Sequence, residues 1–238
     1  DTPARSSFEE VLLLDHLRSA LARINPTVSG DVREDAIKQV LRISSPELLV
    51  NNETFHRLLT EGIKVTYQKN SQTRGDLVWL IDFQNPDKNE FLVVNQYTII
   101  ENHVNKRPDV ILFVNGIPLC VIECKSPNLK DPIAQAISQH IRNQKEDEIP
   151  NLFLYSQLLL AVSKQDAQYG TVGTPAKFWA VWKEEVDEDA VSECVNRPLS
   201  AAARDKIFKS RPSYARDEYE QYGTASREVT DQDRTLYA

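Results

Sequence analysis

Glycine is scarce in this chain, seven residues in 238. A glycine-rich phosphate cradle is therefore not expected. No G-x-x-x-x-G-K-[ST] run occurs, so ATP hydrolysis by the P-loop route is excluded. Cysteine is scarcer still. Cys120, Cys124 and Cys194 leave one odd thiol, and their spacing suits neither a disulfide framework nor a zinc site. That usage points to a reducing, cytoplasmic compartment. The four histidines, His16, His56, His103 and His140, are scattered without metal-ligand spacing and read as structural or exposed. No serine sits in a G-x-S-x-G context, which argues against a serine hydrolase. The longest apolar run, Leu152 to Val162, is too short and too interrupted to cross a bilayer. No charged-then-apolar leader opens the chain. Positive charge is not in excess either: 28 Lys and Arg against 35 Asp and Glu give a net charge of -7. That argues against a self-sufficient basic nucleic-acid binder, although a local basic site or a partner can still supply a grip on DNA. Methionine is absent and the first residue is Asp1, which reads as a piece of a longer protein.

What is present is an ordinary globular composition, 41% hydrophobic and 26% charged, sufficient for one large core plus an extension. The first 65 residues read as helical. Ser7 and Glu10 have capping-box spacing ahead of Phe8, Val11, Leu12, Leu17, Leu21 and Ile24, and Asn25-Pro26 stops that helix. Asp31 and Glu34 repeat the spacing, and Ser45-Pro46 starts a third helix that Gly62 ends. The pattern then turns to β-formers: Leu77 to Phe83, Phe91 to Ile100, Val110 to Val114 and Ile117 to Ile122. Asn85-Pro86-Asp87 marks a turn, and Asn115-Gly116 is a strong hairpin signal. Asp131-Pro132 opens a helix, after which Leu152 to Tyr155 and Leu158 to Val162 read as short strands. The expected class is α/β, a mixed sheet flanked by helices behind an N-terminal helical segment. Trp79, Trp179 and Trp182 read as core or interface anchors. The acids Glu184, Glu185, Asp187, Glu188 and Asp189 read as a solvated cluster.

The segment with chemistry in it runs from Arg107-Pro108-Asp109, through the hairpin, to Glu123-Cys124-Lys125. Asp109 opens one strand, and Glu123 and Lys125 close its partner. Residues two apart on a strand share a face, about 6–7 Å apart. Two carboxylates and an ammonium can thus meet at one end of a hairpin. Carboxylates are hard ligands suited to Mg²⁺, and a lysine beside the ion can orient the attacking water of a phosphodiester hydrolysis. Register decides the matter. A strict two-residue loop with a regular ladder puts Asp109 opposite Ile122 and turns Glu123 to the other face. A one-residue bulge, or a bend near Pro108 or Pro118, restores a common face. The bland alternative is a strand-capping Asp109 with Glu123 and Lys125 as an exposed ion pair. Against it, Glu123 ends the apolar run Leu119 to Ile122, where a charge is costly unless paired or metal-bound. Asp82, at the end of its strand, reads first as a turn organiser.

The stretch Arg107 to Pro127, RPDVILFVNGIPLCVIECKSP, resembles the nuclease domain of the R (restriction and motor) subunit of type I restriction-modification enzymes, a branch of the PD-(D/E)xK superfamily. The likeness extends over Leu80 to Gln96, Ile149 to Thr174 and Phe178 to Glu185. It implies a restriction-endonuclease-like fold and Mg²⁺-dependent endonucleolytic cleavage of DNA. By that resemblance Asp109, Glu123 and the Cys124 backbone carbonyl bind Mg²⁺, and Lys125 activates or orients water. Many members carry a Q-x-x-x-Y motif on the next helix. Gln139 matches its Gln, but Asn143 stands where Tyr is usual. No residue matches the family's N-terminal helical acid. The implied organisation is a helical part over 1–65, a nuclease core over 66–185 and a connector over 186–238. That connector leads toward C-terminal motor domains, where ATP would act. Implied partners are DNA and the methylation and specificity subunits, with no membrane. Two rivals stand beside this reading: another PD-(D/E)xK repair nuclease or resolvase, and a degenerate fold kept as a docking module.

Overall fold

Hydrophobic periodicity and turn chemistry produce the elements of the computed structural model, which describes residues 5–69, 72–164, 166–183 and 192. Three helices come first: α1 (Leu14–Ile24), α2 (Gly30–Leu41) and α3 (Leu48–Glu61). A hairpin of β1 (Ile63–Lys69) and β2 (Gln72–Val78) follows, then β3 (Phe91–Asn95), β4 (Ile99–Glu101), β5 (Val104–Lys106), β6 (Val110–Val114) and β7 (Ile117–Cys124). Helices α4 (Pro132–Asn143) and α5 (Pro150–Tyr155) lead to β8 (Leu158–Ser163), β9 (Asp166–Gly170) and β10 (Ala180–Val181). The main sheet has six strands in the order β10-β9-β8-β7-β6-β3. All neighbours are antiparallel except β7 and β8, which run parallel. A parallel pair needs a long crossover, and α4 with α5 supplies it. This is the expected α/β class, a mixed sheet flanked by helices with a restriction-endonuclease-like arrangement. The N-terminal helices and the sheet share one core that includes Leu17, Leu21, Ile37, Phe55, Ile111, Phe113, Val121 and Phe153.

Long-range partners shifted several boundaries. Helix α1 begins at Leu14, not after Ser7, because the Leu13 N–H is given to the Gly116 carbonyl at 2.9 Å instead of to a preceding turn. Ser7 and Glu10 form an isolated turn, with the Glu10 N–H donating to the Ser7 carbonyl at 3.2 Å. Helix α3 starts at Leu48. The Asn51 side chain holds both the N–H and the carbonyl of Ser45, at 2.7 and 2.9 Å, and so keeps that segment out of the helix. The run Leu77 to Phe83 stops being a strand after Val78. Both polar groups of the Trp79 backbone are taken by the Asn25 side chain, at 2.8 and 2.9 Å, leaving no ladder to continue. The run Phe91 to Ile100 breaks into β3 and β4 at Gln96, whose φ of 56° leaves the extended region. Leu152 to Tyr155 is helical, not a strand. A short apolar run has no periodicity to distinguish the two, and Pro150 at the first helical turn favours the helix.

The Asn115-Gly116 hairpin is present as expected. Its two central residues have φ of 54° and 78°, the both-positive signature of a type I′ turn. The turn is buried. A β-carbon on Gly116 would lie 2.4 Å from the Leu13 carbonyl oxygen, so only glycine fits. Asn115 spends its side chain on the Leu80 carbonyl, Asn89 and the Glu90 N–H, at 2.8, 2.9 and 2.8 Å. Trp179 is a core residue, packed beside His140 and on Gly170, while Trp79 and Trp182 stay partly exposed. Among the described residues no helix is long and apolar enough to cross a membrane. One compact unit ends at Trp182. The second, Lys183–Ala238, is described only at Lys183 and Ser192. The acidic cluster, Cys194, the tail and, apart from Ser192, the connector over 186–238 therefore lie outside the described residues.

Candidate active site

The β6–β7 ladder carries the one-residue offset on which the site depends. Val114 pairs with Ile117 and Phe113 with Pro118, but Leu112 pairs with Cys120, leaving Leu119 as the extra residue. The bulge lies beside Pro118, which has no N–H to give to a ladder, and not in the turn itself. Beyond it Val110 pairs with Ile122, so the next step brings Asp109 opposite Glu123. The two acids share a face, as the bulged register requires and the regular one forbids.

The side chains converge accordingly. Lys125 Nζ lies 3.6 Å from Glu123 Oε2 and 4.0 Å from Asp109 Oδ2. The Cys124 N–H donates to Asp109 Oδ2 at 2.9 Å, and the Gln96 side-chain amide donates to Asp109 Oδ1 at 3.0 Å. Glu123 is 1% exposed, and Gln139 on α4 donates to its Oε2 at 2.7 Å. Gln139 is thus turned toward the acids and not to solvent. Glu123 Oε1 is buried and accepts no hydrogen bond among the described residues. Burial pushes the Glu123 carboxyl up to about 8, and the Asp109 charge adds to that, while Lys125 opposes it. Such a group lacks a positive partner for its free oxygen.

A divalent ion fits that deficiency. The donors are two carboxylates, hard oxygen ligands, with an orphaned carboxylate oxygen between helix and sheet. Among the described residues no group of three or more His, Cys, Asp and Glu side chains gathers. The set therefore suits Mg²⁺, which keeps several waters and takes one or two carboxylates, better than a closed zinc site.

Other expectations fall elsewhere. Asn143, at the usual tyrosine position, is buried one turn beyond Gln139, and its Oδ1 has no partner among the described residues. Asp82 organises a turn by accepting the N–H groups of Gln84 and Asn85 at 3.1 and 2.9 Å. His140 is buried behind the site and donates from Nε2 to the Leu160 carbonyl at 2.9 Å. Burial lowers its pKa to about 4, so it is neutral. His16 pairs with Glu90, and His56 with Gln157. Gln96 is the contact residue that sequence reading passed over. Its one signal was the polar pair Asn95-Gln96 interrupting a β-rich run. An open groove of about 580 Å³ extends from Lys125 along α4, lined also by Lys130, Asp131, Gln135, Ser138, Gln139 and Arg142. Three of these side chains are cationic and one is acidic, on a chain of net charge -7.

Comparison with known proteins gives a consistent picture. Residues 1–178 match the family model described as type I restriction enzyme R protein N terminus. The chain is 34% identical over 187 residues to the type I restriction enzyme HindI endonuclease subunit of Haemophilus influenzae, covering 78% of this chain and 17% of that one. It is 31% identical over 190 residues to a Methanocaldococcus jannaschii protein provisionally named type I restriction enzyme MjaIXP endonuclease subunit, covering 79% and 18%. The chain thus spans less than a fifth of the length of these curated relatives.

Proposed function

The chain belongs to the type I restriction enzyme R protein N-terminal family, and from that premise we propose that the Asp109, Glu123 and Lys125 cluster is a Mg²⁺-dependent centre for endonucleolytic cleavage of double-stranded DNA. The observation that carries this reading is the buried Glu123, with one oxygen unpartnered, beside a second carboxylate and an ammonium. Asp109, Glu123 and the Cys124 carbonyl would hold the ion. When bound, it supplies a lowered water pKa and neutralises charge that builds on the phosphate. The chain's own residues do the rest. Lys125, held between both acids, orients the attacking water and faces the charge growing on the phosphoryl oxygens. Gln139 fixes Glu123 through Oε2 and so leaves Oε1 open. Water gives up a proton as it adds to phosphorus, one P–O ester bond breaks, and the leaving oxygen takes up a proton, so the proton count is unchanged.

The groove along α4 supports a nucleic-acid substrate, because Lys130 and Arg142 extend the positive charge of Lys125 in a direction that a phosphate backbone can follow. The acidic balance of the whole chain fits a local grip and little reading of bases. Sequence choice would belong to the methylation and specificity subunits of a type I complex. ATP-driven translocation would belong to motor domains elsewhere in the parent chain. The intact cluster of two acids, an amine and the Gln139 amide favours this reading over a docking module.

The test is a restriction assay with Glu123→Ala and Lys125→Ala in the full-length subunit assembled with its partners. Cleavage is expected to be lost while ATPase activity persists. Unchanged cutting by either variant would end the proposal.

A further inference from the structure

We propose that Gln96 is a positioning residue for Asp109, holding its carboxylate in the orientation that a divalent ion needs; this rests on the nuclease reading above. Strand β3 ends at Asn95, whose ladder partner is Val110. A continued ladder would place Gln96 across from Asp109 in ordinary extended backbone. Instead Gln96 turns into the left-handed region, with φ of 56°. That region disfavours any residue with a β-carbon, and Gly, Asn and Asp are its usual occupants. Gln96 nevertheless grips Asp109 twice. Its N–H donates to the Asp109 carbonyl at 2.8 Å, and its side-chain amide donates to Asp109 Oδ1 at 3.0 Å. The unfavourable backbone is thus coupled to a two-point hold on one residue.

The chemistry of the hold matters as much as its geometry. Asp109 Oδ2 already accepts the Cys124 N–H. With Oδ1 held by Gln96, the carboxylate is pinned at both oxygens and cannot rotate, yet each oxygen retains a second lone pair. The donor on Oδ1 is neutral. A lysine there would compete with the cation, and a glutamate would repel Asp109. An amide fixes the acid without spending the negative charge that a cation requires. Gln139 does the same for Glu123 from α4, so each acid is oriented by a glutamine. Outer hydrogen bonds of this kind typically change metal affinity by about 10–100-fold.

Two substitutions separate positioning from structural support. Gln96→Gly removes the amide and relieves the backbone cost, whereas Gln96→Ala removes the amide and keeps that cost. Mg²⁺ binding to the 238-residue chain is measured by calorimetry, with thermal melts of the metal-free proteins alongside. Both variants should bind Mg²⁺ at least threefold more weakly than wild type, about tenfold being expected, although the Gly variant melts higher than the Ala variant. A Gly variant within threefold of wild type overturns the inference alone. Absence of Mg²⁺ binding by the wild type overturns it together with the nuclease reading.

Discussion

Replacing Glu123 with Gln should remove a pH-dependent weakness from the metal-free protein. The folded carboxyl keeps its proton up to about pH 8, whereas an unfolded glutamate loses it near 4.5. Between those values unfolding releases a proton, so stability is greatest below the lower value and falls as pH rises toward the higher one. His140 acts in the opposite sense. It stays neutral down to about pH 4 when folded but titrates near 6.5 when unfolded. Its contribution is full above 6.5 and is lost as pH falls toward 4. The two slopes are equal and opposite from about 4.5 to 6.5, where they cancel, and above 6.5 Glu123 acts alone. One and a half pH units at about 1.4 kcal/mol per unit give a loss of about 2 kcal/mol between pH 6.5 and 8. For a domain of this size that corresponds to about 4–8 °C in Tm. Denaturant or thermal melts in chelator should show this decline in the wild type and a flat profile in Glu123→Gln. Mg²⁺ at about 100 times its Kd should add about 2.7 kcal/mol to the wild type at pH 8 and much less to the variant. Parallel pH profiles for the two proteins over pH 6.5–8 would refute the burial argument for Glu123.

Two further outcomes are expected. The double variant Lys130→Ala/Arg142→Ala should lower the slope of log affinity for duplex DNA against log salt by about 1.8, since each phosphate contact contributes about 0.9. Mg²⁺ calorimetry should be unaffected, and an unchanged salt slope would remove α4 from the DNA path. Gly116→Ala should destabilise the fold by more than about 1 kcal/mol in denaturant melts. The added methyl meets the Leu13 carbonyl at 2.4 Å in a backbone with φ of 78°, so a neutral result would contradict the buried turn.

Much of this protein is legible in local chemistry. The Asn115-Gly116 turn and the end of α3 at Gly62 follow from residues whose preferred dihedral angles match their positions, and Pro132 at the first helical turn opens α4, although Asp131 before it takes a left-handed φ of 51°. The continuous apolar run Val110 to Val114 beside the hairpin signal marks a strand, the D…ExK spacing marks which residues stand near the ends of β6 and β7, and the alternating burial along β6 belongs to the fold. Contacts between residues distant in sequence decided the rest. Asn25 captured the Trp79 backbone, and Gly116 captured the Leu13 N–H.

The same division holds at the site. Composition and spacing alone named two acids and a lysine, and nothing in them could say on which side of the sheet each would emerge. Strand side chains alternate with a period of two, so one unpaired residue reverses every side chain beyond it. Leu119 is that residue, and its exclusion from the ladder is set by Pro118 and by the strands on either side. Only the folded sheet, with Gln96 arriving from β3 and Gln139 from α4, turned a spacing into a cluster.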